Sequence, residues 1–109
     1  MSDFKNVKLR RLDLTVLLVF LGLVRHRKAV VVARDLGLTP PAVSHALGRL
    51  RDVFGDPLFL RRPHGLEPTS VALALEAPVR EAVERLREAL SGERPFEPAG
   101  TQRTFRLAA

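Results

Sequence analysis

Apolar side chains recur at helical spacing between positions 13 and 25. Asp13 is a good N-cap residue, and the apolar positions after it occupy two sides of the predicted helix. One side comprises Leu14, Leu17, Leu21 and Val24, and the other comprises Val16, Val19, Phe20 and Leu23. A helix that is apolar on two sides packs against two surfaces, which we predict to be its own domain core and a second chain.

A short second helix is predicted at about residues 30–36, because Val32 and Ala33 share one face and Gly37 provides a stop. The basic run 25–28 (Arg-His-Arg-Lys) separates it from the first helix. Basic residues near the C-terminal end of a helix interact favourably with the helix dipole, and this is the simplest interpretation of the run.

The third predicted helix covers residues 40–54 and follows a tight turn, Gly37-Leu38-Thr39. Thr39 is a candidate N-cap, and Pro40 and Pro41 fall in the first turn, where a missing amide N–H costs nothing. The buried face comprises Val43, Leu47, Leu50 and Phe54, and the other face comprises Ser44, His45, Gly48, Arg49 and Asp52. Two short helices joined by a glycine-containing turn, the second opening with small and polar residues, are typical of a helix-turn-helix.

A small β-hairpin is predicted at residues 58–68. Leu58-Phe59-Leu60 is strand-like, and Pro63-His64-Gly65 has the composition of a turn. Arg61 and Arg62 are expected at the tip of the hairpin. A basic hairpin directly after a helix-turn-helix is typical of a wing.

A long helix is predicted at about residues 70–90, with Thr69 as its N-cap. Its apolar positions alternate by three and four residues, which is the spacing of a seam between paired helices. The seam comprises Ala72, Leu75, Val79, Ala82, Leu86 and Ala89, widened by Val83 and Leu90. The alternative is a helix lying on its own domain, but so small a domain has little surface left to cover it, which favours a partner helix.

The formal net charge of +6 is concentrated in the first part of this 109-residue chain. Residues 1–66 hold 12 Lys and Arg against 5 Asp and Glu, whereas residues 67–109 hold 6 against 7. A compact basic segment favours a polyanionic partner, although a solvated basic surface has the same composition. The chain has no cysteine, which fits an intracellular setting, and we expect neither a secretory signal nor a membrane partner.

Signatures of catalysis are missing from the sequence pattern. It has no glycine-rich phosphate loop, no paired carboxylates in a strand–helix context and no cysteine nucleophile. Neither His45 nor His64 has a carboxylate or histidine at metal-ligand spacing. We therefore expect a protein that is not an enzyme and that needs no metal or cofactor.

Four segments are similar to those of a known protein family. They are Leu36-Gly37-Leu38-Thr39-Pro40-Pro41-Ala42-Val43-Ser44-His45-Ala46-Leu47, Leu50-Arg51, Phe54-Gly55-Asp56-Pro57-Leu58-Phe59 and Pro68-Thr69. Together they resemble the amino-terminal domain of LysR-type transcriptional regulators, over residues 12–91. The Gly-Asp-Pro-Leu-Phe stretch and residues 78–82 resemble the branch with nodulation and aromatic-catabolism regulators. The implied fold is mainly α, a winged helix-turn-helix with a long C-terminal dimerisation helix.

The resemblance also implies three segments in the chain. Residues 1–68 would be the winged helix-turn-helix domain and residues 69–91 the linker and dimerisation helix. Residues 92–109 would hold a hinge and the start of an effector-binding domain that is otherwise missing. The strand-like run at 104–109 has no sheet beside it, which favours the front piece of a longer protein.

The function implied by the resemblance is sequence-specific binding of double-stranded promoter DNA at an interrupted palindrome. The resemblance also implies that the protein is a bacterial homodimer, located in the cytoplasm and associated with the nucleoid. The recognition helix 40–54 would enter the major groove, and the wing 60–66 would contact the minor groove or the backbone. Tetramers and a small-molecule inducer would require a full-length chain. The alternative is a winged-helix and coiled-coil module that binds proteins without specific DNA binding.

Site residues follow from the resemblance position by position. The expected DNA-binding residues are Thr39, Pro40, Pro41, Ser44, His45, Arg49, Arg61, Arg62 and His64. The expected dimerisation residues are Leu75, Val79, Ala82, Val83, Leu86, Ala89 and Leu90. The chain departs from the family pattern at three positions. Pro40 occupies a position where the family usually has glutamine, and His64 occupies a wing position where it often has a second arginine. Lys28 occupies the position where a serine often caps the second helix. Arg49 could donate to guanine or touch only phosphate, and both roles stay open.

Overall fold

The computed structural model describes residues 8–92 as helices and one β-hairpin. In chain order the elements are a 3-10 helix Leu9–Arg11, α1 Leu14–His26, α2 Ala29–Leu36, α3 Pro40–Phe54, β1 Phe59–Arg62, β2 Gly65–Pro68 and α4 Ser70–Ser91. The predicted fold class, a mainly α winged helix-turn-helix with a long C-terminal helix, is confirmed. The predicted hinge and strand beyond residue 92 lie outside the described residues.

Side-chain caps begin three of the four α-helices, as the sequence predicted. Asp13, Thr39 and Thr69 each accept a hydrogen bond from the backbone N–H three residues ahead, at 2.8 to 3.2 Å. Each bond satisfies an amide that has no partner within its own helix. Lys28 holds the corresponding position before α2 and makes no such bond. The second helix therefore begins without the cap that stabilises the other three.

The core is formed by one side of each helix together with the wing. From α1 it takes Val16, Val19, Phe20 and Leu23 of one predicted apolar side and Val24 of the other, and from α3 it takes Val43, Ala46, Leu47 and Leu50. Leu14, on the other apolar side of α1, stays 42% exposed. Phe20 meets Phe59 of β1 edge to face, with ring centroids 5.9 Å apart. The first residue of the wing is thus anchored in the domain core.

The hairpin differs from the sequence prediction in the position of its arginines. Arg61 and Arg62 were expected at the tip, and this is wrong, because both lie in β1 and pair with Leu66 and Gly65 of β2. The turn is only the two residues between those strands, so the ladder extends further than the composition suggested. The strand also begins after Leu58, whose left-handed backbone (φ 64°) is not extended.

The connection between α3 and the wing is held by two charged side chains. One carboxylate oxygen of Asp56 accepts from the Leu58 N–H and from the Thr69 hydroxyl, each at 2.8 Å. The guanidinium group of Arg51 donates to two carbonyl oxygens of the same segment, at 2.8 and 3.0 Å. Asp56 therefore links the start of the wing to the start of α4.

The fourth helix lies on its own domain for only part of its length. Ala72 is fully buried, and Leu75 and Val79 pack partly against the core. Beyond them, Leu86 is 45% and Leu90 is 75% exposed. Intramolecular packing therefore explains the first part of the predicted seam, and the role of the seam between two chains stays a prediction. Within residues 8–92, no helix combines the length and apolar character required to cross a membrane.

Candidate nucleic-acid interface

The exposed side of α3 carries most of the predicted base-reading residues. Pro40 and Pro41 occupy its first turn, and Ser44 and His45 are exposed one turn further on. Gly48 follows after another turn, and nothing lies within 4 Å of the position that its Cβ would take. This side of α3 therefore has no side-chain bulk at position 48, and a large partner can approach the helix backbone closely there.

Thr39 lies just before this surface and has a structural role. Its hydroxyl oxygen accepts from the Ala42 N–H at 3.2 Å, which is the predicted N-cap of α3. The residue is exposed, so the N-terminal end of α3 is accessible to an anion, which the helix dipole would attract.

A cleft of about 370 Å³ separates α3 from the hairpin, and we call it the wing cleft. It is lined by Leu23, residues 27–30, Val43, Ser44, Leu47 and residues 61–66. Four of the predicted DNA-binding residues are brought together here: Ser44, Arg61, Arg62 and His64. The third wall is the turn between α1 and α2, which the sequence prediction did not include.

Two cationic residues of the wing cleft, Arg27 and Lys28, were missed from the sequence. With Arg61 and Arg62 they bring the cationic residues that line the cleft to four, and its lining residues include no carboxylate. The basic run was a visible signal, but the helix-dipole interpretation explained it without a ligand. Its position beside the wing depends on tertiary packing.

Glu67 of β2 reduces the positive charge of the wing. Arg62 Nε donates to its carboxylate at 2.9 Å, and both side chains are about half exposed. This hydrogen bond and the charge of Arg62 hold the pKa of the Glu67 carboxyl below its ordinary value, and the charges of His64 and Arg27 act in the same direction. Glu67 is therefore ionised at neutral pH.

The turn and the wing meet backbone to backbone. Arg27 has a left-handed backbone (φ 64°), which costs a residue other than glycine about 1–2 kcal/mol. Its carbonyl oxygen accepts from the Leu66 N–H at 2.8 Å. A Cβ on Gly65, whose φ is 135°, would lie 2.7 Å from that oxygen, so the approach requires glycine.

Arg49 and His45 lie apart from the wing cleft. They line a shallow depression of about 180 Å³ between α3 and the start of α1. Arg49 Nη1 is 3.6 Å from Asp13 Oδ2, and the other oxygen of this carboxylate caps α1. Both side chains are more than one third exposed, and such surface ion pairs contribute at most about 1 kcal/mol. Arg49 can therefore exchange Asp13 for another anion at small cost.

Known proteins resemble this chain over most of its length. The HTH-type transcriptional activator NahR of Pseudomonas putida is 48% identical over 102 residues, which are 94% of this chain and 34% of NahR. Nodulation protein D 1 of Bradyrhizobium sp. (strain NC92) is 38% identical over 101 residues, which are 93% of this chain and 32% of that protein. The chain thus spans about one third of the length of these relatives.

A solved structure shares the fold. The probable transcriptional regulator PA0477 from Pseudomonas aeruginosa aligns with a TM-score of 0.72 and 47% identity, covering 85% of this chain and 31% of that one. A family model described as bacterial regulatory helix-turn-helix protein, lysR family, matches residues 14–73, from α1 through the wing into the start of α4. The resemblance seen in the sequence is confirmed, and the chain belongs to the LysR family of bacterial transcription regulators.

Proposed function

We propose that this chain binds double-stranded promoter DNA sequence-specifically, with α3 in the major groove and the wing (residues 60–66) on the minor groove or the backbone. LysR-type regulators bind DNA and act as oligomers, which supports the coarser part of the proposal. The observation that carries the finer part is the wing cleft, where Ser44 of α3 adjoins the cations of the wing. DNA recognition combines base contacts from a helix with phosphate contacts from cations beside it.

The residues of α3 and of the wing would contact different parts of the DNA. Ser44 would hydrogen-bond a base edge, and Pro40 and Pro41 would offer apolar contact, such as to a thymine methyl. Arg61 and Arg62 would neutralise phosphates or enter the minor groove. In this proposal the wing mainly supplies affinity and α3 supplies discrimination between sequences.

We further propose that two chains pair through the part of α4 that extends past its own domain. Leu86 and Leu90 are exposed there, and Leu14 offers a second exposed apolar position on α1. Antiparallel α4 helices that also touch the partner's α1 would place the two copies of α3 in successive major grooves on one face of the DNA. Inducer binding and tetramers, expected of full-length regulators, would need an effector domain that residues 8–92 do not include.

The first test measures DNA affinity by fluorescence anisotropy across a salt series, comparing a pool of interrupted palindromes with random duplex. We expect tight binding to a subset of the pool. The logarithm of the binding constant should fall steeply with the logarithm of salt concentration, because several phosphates are contacted. Equal weak binding to every duplex would contradict sequence-specific reading. Absence of binding at low salt would favour the protein-interaction module instead.

Arg49 has two candidate roles that a substitution separates. Arg49→Ala is expected to weaken binding to the preferred duplex by about 1–3 kcal/mol, because an arginine contact with guanine is worth that much. A matching loss on random duplex would assign Arg49 to phosphate alone. Arg85→Ala is the control, since Arg85 is an exposed arginine on α4 outside both the wing cleft and the depression beside Asp13.

A further inference from the structure

We propose that the wing cleft holds the DNA backbone, and that Arg27 and Lys28 contact its phosphates together with Arg61 and Arg62. This inference rests on the proposed DNA binding and extends the interface to the α1–α2 turn, which belongs to neither the recognition helix nor the wing. The occupant is the phosphodiester strand that borders the groove entered by α3.

The wing cleft has the charge and the lining that a phosphodiester strand needs. Four cationic residues line it and none of its lining residues is a carboxylate, so its charge is complementary to phosphate even though Arg62 is paired with Glu67. Its lining also includes Val30, an apolar residue that is 65% exposed and can pack against deoxyribose. Ser44 lies on the α3 wall of the same cleft. A strand held between the turn and the wing would therefore run alongside the exposed side of α3.

Two consecutive residues of the turn are unfavourable for the fold and place positive charge at the cleft. Arg27 adopts a backbone conformation that favours glycine. Lys28 occupies the N-cap of α2, where a serine or aspartate side chain would accept a hydrogen bond, and its own side chain makes none. Locally unfavourable choices of this kind concentrate at functional sites. Arg27 Nε also donates to the Val24 carbonyl oxygen at 3.3 Å, and both positions place a cationic residue on the wing cleft.

The turn is also fixed relative to the wing before DNA arrives. The Leu66 N–H donates to the Arg27 carbonyl oxygen at 2.8 Å, and Gly65 permits this close approach of the two backbones. The backbones that carry Arg27 and the wing arginines are therefore held in one arrangement. Such preorganisation lowers the ordering cost of binding.

The test compares Arg27→Gly and Lys28→Ser, singly and together, with the unaltered chain. Each change removes a positive charge and relieves a local cost, because glycine suits the left-handed backbone and serine can cap α2. We expect the melting temperature to stay the same or rise. Affinity for preferred and random duplexes alike should fall roughly tenfold in the double variant. The salt slope should become shallower by about 0.9 for each phosphate that the variant no longer neutralises.

Arg25→Gln is the matched control. Arg25 lies two residues before Arg27, carries the same charge and lines a different depression, between α1 and α2. The salt slope of DNA binding by the Arg25→Gln variant should therefore equal that of the unaltered chain. A double variant with unchanged affinity and slope would contradict the inference, and so would a loss confined to the preferred duplex, which would indicate base reading. If the unaltered chain binds no duplex, the proposed function fails and this inference with it.

Discussion

Gly48 lies in the middle of α3 on its exposed side, one turn beyond Ser44. Glycine in a helix interior is less favourable than alanine by about 1 kcal/mol. The fold gives no reason to accept this cost, since nothing lies within 4 Å of the position of a Cβ at residue 48. A partner that approaches the α3 backbone closely does give a reason, because a side chain there would hold the partner away.

Gly48→Ala is therefore expected to change stability and binding in opposite directions. The free energy of unfolding should rise by about 0.5–1 kcal/mol, because alanine is the better helix former. Affinity for the preferred duplex should fall, because the added methyl group separates α3 from the groove. Urea unfolding and fluorescence anisotropy measure the two effects. A stabilised variant with undiminished affinity would show that DNA does not approach this position.

Individual residues show which features a sequence can predict. The capping role of Thr39 was predictable, because a cap acts on an amide three residues away and depends on local sequence alone. The contact between Arg49 and Asp13 was not, because it joins two helices that are distant in the chain. The same holds for Arg27, whose basic character was visible but whose contact with Leu66 depends on how the wing docks.

At the scale of elements, one close backbone approach helps to fix the wing. Gly65 has a φ of 135°, and a Cβ added to it would lie only 2.7 Å from the Arg27 carbonyl oxygen. The neighbouring atom is backbone, so it cannot move aside as a flexible side chain could. The hairpin is thus fixed to the helix-turn-helix at its return strand as well as through Phe59.

Gly65→Ala should consequently destabilise the domain, by about 3 kcal/mol, through backbone strain and the steric clash. Thermal unfolding measures this loss. The control is Gly48→Ala, the same chemical change at an open position, for which the opposite sign is expected. Equal stability of the Gly65 variant and the unaltered chain would mean that the wing is not held against the α1–α2 turn in solution.

The hairpin also shows why an element can be predicted and its register missed. Turn composition around Pro63 and His64 located the hairpin correctly. The strand ends depend on which backbone groups pair across it, and this pairing placed Arg61 and Arg62 within β1. Both residues consequently line the wing cleft together with the α1–α2 turn.

At the scale of the whole molecule, α4 links one domain to a second chain in our proposal. Leu86→Glu should weaken the dimer by about 3 kcal/mol, roughly a hundredfold in dissociation constant, because it buries a charge in the apolar seam. Sedimentation equilibrium measures the change. Leu73→Glu is the control, because Leu73 is 51% exposed on α4 but lies off the seam. An unchanged mass for the Leu86 variant would remove the seam from the dimer interface.

The two ends of α4 are held differently, so a small tilt of the helix at one end produces a larger displacement at the other. Its first turn is fixed to the domain by the Thr69–Asp56 hydrogen bond and by buried Ala72, whereas its last turns extend past the domain. A helix of 22 residues is about 33 Å long, so a tilt of about 5° at one end displaces the other by about 3 Å. This displacement is close to the ~3.4 Å rise of one base pair. In the proposed dimer, a slight change in the angle between the two paired α4 helices would therefore change the distance between the two α3 helices by about one base-pair step. The dimer would then select DNA with a different spacing between its half-sites.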